Sequence, residues 1–79
     1  MNWKKRYNKL NIIEVGDIVY DKSLNDYGLV IGIEKRNDNP QKDRINCKWA
    51  ASITELINKN YSCEDIMSRE YLEIYEKGK

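Results

Sequence analysis

A 79-residue chain without histidine lacks the side chain that most often serves as general base, metal ligand and pH switch. The remaining candidates for chemistry are few. Cys47 and Cys63 are the only thiols, and without histidine they can neither complete a four-ligand zinc site nor form an activated cysteine–histidine pair. The serine and threonine hydroxyls have no neighbouring base, and no serine–lysine spacing indicates a dyad. Glu64 with Asp65, or Glu70 with Glu73, supplies carboxylates. In an extended segment Glu70 and Glu73 point to opposite faces, so they read as a solvated edge rather than an acid–base pair. The glycines stand alone at 16, 28, 32 and 78, which rules out a phosphate-cradling loop. The expectation is a chain that is not an enzyme, with no cofactor, no metal and no small-molecule substrate.

What remains is surface. Tyr20, Tyr27, Trp49, Tyr61 and Tyr71 fall at the ends of apolar segments or at loop edges. A tyrosine ring offers large contact area with a polar tip, which suits a protein-binding surface. Trp49 and Tyr20 also suit a core that contains no phenylalanine. A second set of candidates is basic. Lys4, Lys5 and Arg6 sit between Trp3 and Tyr7, and Arg36, Lys42, Arg44 and Lys48 follow in the middle of the chain. Cations beside aromatics can hold nucleic acid by phosphate contact and stacking, and Arg44 and Lys48 share one side of an alternating strand. The acidic stretch 17–26, with Asp17, Asp21 and Asp26, could equally attract a basic partner.

Net charge is only +1, but it is unevenly spread. Residues 1–10 are basic, 11–30 acidic, 31–48 mildly basic and 49–79 mildly acidic. A dedicated nucleic-acid binder is expected to be basic throughout its domain, so a protein partner is the first expectation and nucleic acid the alternative. No apolar run approaches the roughly 18 residues of a spanning helix, so no membrane partner is expected. The basic start has no apolar segment after it, which predicts no secretory leader and a cytoplasmic location with reduced thiols. Isoleucine, lysine, asparagine and tyrosine dominate the composition. Their codons are rich in A and T, which points to an AT-rich bacterial or viral genome.

The elements that must position these side chains are short. Residues 1–11 read as a flexible basic arm, 12–76 as one domain and 77–79 as a frayed tail. A first strand is entered through Gly16 and ends at Asp21, followed by a turn-rich loop over 21–28. Leu29, Ile31 and Ile33 alternate with Val30, Gly32 and Glu34 and predict a strand with one apolar face, with an irregularity at Gly32. Asn39-Pro40 marks a turn, after which Ile45, Cys47 and Trp49 alternate with Arg44, Asn46 and Lys48. These two strands are expected to pair as a hairpin. Ser52-Ile53-Thr54-Glu55 matches a capping box and predicts one or two helical turns over 52–58, with Ile53, Leu56 and Ile57 on one face. Tyr61–Cys63 reads as a short strand, Glu64–Arg69 as a helical turn, and Leu72 with Ile74 as a last strand. Five short strands in so few residues imply a small, strongly bent barrel that avoids long exposed edges.

The order Gly16-Asp17-Ile18-Val19-Tyr20, Tyr27-Gly28-Leu29-Val30-Ile31-Gly32-Ile33, Ile45-Asn46-Cys47-Lys48-Trp49 and Tyr71-Leu72-Glu73-Ile74 resembles the small SH3-like barrel proteins of tailed bacteriophages. The similarity covers about residues 15–76. It departs from the family pattern at 50–60, where a short turn is usual. The resemblance implies a five-stranded SH3-like barrel working in the host cytoplasm. Contact with a host protein follows as the expected role, in its sharper form inhibition of a host enzyme or defence system. A virion or assembly component is a further alternative.

Overall fold

The computed structural model describes residues 12–36 and 39–78, so the expected basic arm, with Lys4, Lys5 and Arg6, lies outside the described residues. Five antiparallel strands form one sheet: β1 (Ile18–Asp21), β2 (Asp26–Glu34), β3 (Arg44–Ala50), β4 (Cys63–Ser68) and β5 (Leu72–Glu76). Their order is β4-β3-β2-β1-β5, which leaves β4 and β5 at the two edges. One short helix, α1 (Ile53–Ile57), and two 3-10 turns, Pro40–Lys42 and Arg69–Tyr71, complete the elements. The chain is mainly β with little helix, as its alternating patterns predict.

β3 follows its sequence pattern closely. Ile45, Cys47 and Trp49 are buried and join Ile13, Val19, Val30 and Leu72 in a single core, while Arg44, Asn46 and Lys48 take the other face. β2 and β3 form the expected antiparallel hairpin. Asn39 is extended before Pro40, as the ring of proline requires. Ser52 caps α1 by accepting a hydrogen bond from the Glu55 N–H at 3.2 Å, and Asn58 ends it.

β2 differs from its reading in both length and face. It begins at Asp26, so the turn-rich loop shrinks to the few residues between β1 and β2. Val30, not Leu29 or Ile31, is the buried residue, and Ile33 reaches the core further along. The reason is a register shift against β3 between Val30 and Gly32. One extra residue in a strand reverses which side chains point inward. Gly28 has a second requirement. It lies opposite Trp49, and a Cβ on it would come within 2.7 Å of Trp49 Cζ3 and 3.0 Å of Cys47 Cβ. The indole ring occupies the space a side chain would take.

The helical turn expected over Glu64–Arg69 is a strand. β4 pairs with β3 from Cys63 to Ser68, placing Glu64 opposite Lys48, and the 3-10 turn before the last strand comes later, at Arg69–Tyr71. Adjacent acids favour a helix start only where nothing else competes; here the open side of β3 supplies a full ladder of hydrogen bonds. In α1 only Leu56 is buried, and Ile57 of the expected apolar face is 67% exposed. The tail is also tied down at Lys77 and Gly78. Lys77 Nζ lies 2.6 Å from both Asp17 Oδ2 and the Ile12 carbonyl, and the Gly78 N–H donates to Asp17 Oδ1 at 2.7 Å.

Candidate functional site

The cross-strand register assembles an aromatic surface on the sheet face opposite the core. Tyr20 lies directly opposite Tyr27, and opposite Glu73 on its other side. Residues opposite one another share a face. The rings of Tyr20 and Tyr27 are 5.1 Å apart and tilted by 49°, and Tyr75 meets Tyr27 edge-on at 5.2 Å and 84°. Such tilted and edge-on pairs are the favoured arrangements of aromatic rings and hold each other in place. Ile18 and Leu29, paired in the next register position, are half-buried and extend the strip. Tyr75 is 51% exposed and forms its outer wall. Tyr75 carries no surface signal in the sequence, because only the pairing of β5 with β1 brings it beside Tyr27.

The turn that joins Tyr20 to Tyr27 is fixed by a buried carboxylate. Asp21 is fully buried, and its Oδ1 accepts from the Ser23 N–H at 2.9 Å, the Ser23 hydroxyl at 2.7 Å and the Leu24 N–H at 3.4 Å. Asn25, at φ 62°, accepts a hydrogen bond from the Tyr20 hydroxyl through its Oδ1. The phenol is therefore held by the turn beneath it.

The remaining aromatic candidates separate. Trp49 is 4% exposed and its Nε1–H donates to the Asp65 carbonyl at 3.2 Å, so its ring belongs to the core and not to a binding surface. Tyr61 is half-buried, with Lys48 Nζ 5.3 Å from its ring centroid, a cation–π contact. Tyr71 is 49% exposed and has no ring contact among the described residues. The structure thus brings Tyr20 and Tyr27 together, and leaves Trp49, Tyr61 and Tyr71 apart from them.

The basic candidates among the described residues each face an acid or a ring. Arg36 and Arg44 both lie 3.6 Å from Glu34, Lys42 lies 3.1 Å from Glu70, and Lys48 sits opposite Glu64 as well as over Tyr61. Arg44 and Lys48 do share a face, but these neighbours neutralise the stripe. The acidic stretch 17–26 is likewise not the exposed surface its composition implies, because Asp17 and Asp21 are buried. Asp17 loses solvation by burial, which raises its pKa. Hydrogen bonds from Lys77 and from the Gly78 and Glu14 N–H groups outweigh that and hold it below the usual carboxylate value.

A cleft of about 1000 Å³ opens on Ile13, Ile45, Leu72 and Ile74. Of its charged lining, Lys22 pairs with Glu73, Glu70 with Lys42, and Asp43 accepts a hydrogen bond from the Arg36 N–H at 2.8 Å. Cys47, at its buried position in β3, is pushed up to about 12 by loss of solvation and is an inert core thiol. Among the described residues no cluster of three acids or thiols is placed to hold a metal ion, and no helix is long and apolar enough to cross a membrane. Comparison with protein-family models, curated proteins and solved structures finds no match to this chain.

Proposed function

We propose that this chain is a non-enzymatic binding module that grips a protein partner with the tyrosine face of its sheet. The observation that carries the reading is the interlocked Tyr20–Tyr27–Tyr75 cluster, held from below by the Asp21 turn and open to solvent at Tyr75. Rigid aromatic side chains with polar tips form contact surfaces at low entropic cost, because their rotamers are already set. The fold we assign is the SH3-like barrel of the tailed-phage proteins. Its support is the strand order with β5 returning to β1 and the 3-10 turn between β4 and β5. On that reading the partner is a host protein in the bacterial cytoplasm, and the role is to obstruct a host enzyme or defence system. Affinity capture from bacterial lysate tests it: a single protein retained at micromolar concentration is the expected result. No retained protein at that concentration overturns it.

A further inference from the structure

The open edge of β4 has the geometry of a strand-pairing surface, and one carboxylate currently closes it. β4 pairs with β3 alone among the described residues. The Arg69 N–H donates to the Asp43 carbonyl at 2.9 Å, so residue pairs two steps apart along this ladder, through Asp65 opposite Cys47, are the hydrogen-bonded ones. The backbone groups of Glu64, Ile66 and Ser68 therefore point away from β3. Consistent with this, the Ile66 N–H donates not to a strand but to the Oδ1 of Asp65 at 2.8 Å. The Ile66 side chain is 43% exposed beside this edge.

We propose that β4 is a self-association edge, at which two copies of this chain pair antiparallel about Ile66, with the Asp65 carboxylate as its gate. Centring the pairing on Ile66 sets Ile66 opposite Ile66 of the second copy and Glu64 opposite Ser68, so the outward N–H and C=O groups meet in register. No acid then faces an acid. Arg44 lies opposite Ser68 within one copy, so across the junction the row on that face runs Arg44, Ser68, Glu64, Lys48. Each Glu64 is flanked by Lys48 of its own copy and, across the short Ser68, by Arg44 of the other. Charge and register favour the same alignment. While Asp65 holds the Ile66 N–H in each copy, both central hydrogen bonds of that alignment are blocked, and a charged side chain on an edge strand is one way natural sheets blunt it. This edge is separate from the tyrosine face and stands or falls independently of it.

Sedimentation velocity over a concentration series, with Asp65→Ala and Asp65→Ala/Ile66→Lys, tests the proposal. Removing the gate from both copies is expected to tighten dimerisation about thirtyfold over the starting chain, the effect of two net hydrogen bonds. Adding Ile66→Lys is expected to return the protein to monomer, because two ammonium groups then meet at the centre of the junction. Asp65→Val serves as a second gate-free variant, and the Trp49 bond to the Asp65 backbone carbonyl survives in either. A folded gate-free variant that stays monomeric to millimolar concentration overturns the proposal. So does a dimer that Ile66→Lys leaves intact.

Discussion

Trp49 and Gly28 act as one unit: the indole fills the volume that any side chain at 28 would need. Replacing Gly28 by alanine is expected to force the ring out of place and cost about 1–3 kcal/mol, measured by urea unfolding. Trp49→Ala removes the largest side chain of a small core at a cost of about 3–5 kcal/mol. That leaves about 0–2 kcal/mol of the stability of a domain this size, about 5 kcal/mol at the low end, so the variant should unfold at much lower urea than the starting chain, with circular dichroism as the readout. The alternation in β3 identified Trp49 as inward-facing, yet its aromatic type also recommended it for a surface, and only burial separates the two. Tyr75 and the buried acids Asp17 and Asp21 were missed for a related reason. Burial of a carboxylate is set by backbone N–H donors brought to it by turns and by the tail, and no local pattern records that.

Elements whose signals are local were legible, and elements decided by distant pairing were not. The β2–β3 hairpin and the Ser52 cap of α1 were both readable from neighbouring residues. β4 was not, since its Glu64 and Asp65 favour a helix start until β3 offers a ladder. Gly32 marks an irregularity in β2, but its form, a register shift that buries Val30 rather than Leu29 and Ile31, depends on the pairing itself. At the same scale, the β1–β2 turn is predicted to be the support of the tyrosine face. Asp21→Ala strips three hydrogen bonds to a carboxylate from this turn, at about 1.5–3 kcal/mol. Chemical denaturation should show the loss, and the Tyr20 and Tyr27 ring resonances should move with it. The exposed ion pairs Lys22–Glu73 and Arg44–Glu34 are each worth about 0–1 kcal/mol, so removing either should change stability little.

The molecule as a whole carries its pH sensitivity at the two extremes. With no histidine, no imidazole titrates between roughly pH 5 and 8, and stability there is expected to be flat. Asp17 is held below its unfolded value of 3.8. Its contribution is therefore present above that value and lost as pH falls through the lower, folded one. Lys77 is desolvated, but its bonds to Asp17 and Glu14 raise it above 10.5, so its contribution is full below 10.5 and lost as pH rises beyond it. Cys47, raised from 9.0 to about 12 by burial, loses its contribution progressively from 9.0 upward. Lys77→Met should therefore weaken both limbs, with thermal unfolding across pH as the readout.

Whether the tyrosine face does the binding is decided by comparing Tyr75→Ser with Tyr71→Ser in affinity capture from bacterial lysate. Both residues are about equally exposed, at 51% and 49%, but only Tyr75 belongs to the ring cluster. Tyr75→Ser is expected to weaken retention of the partner about tenfold or more, as loss of an aromatic anchor does, while Tyr71→Ser retains it. Equal retention by both variants would rule that face out.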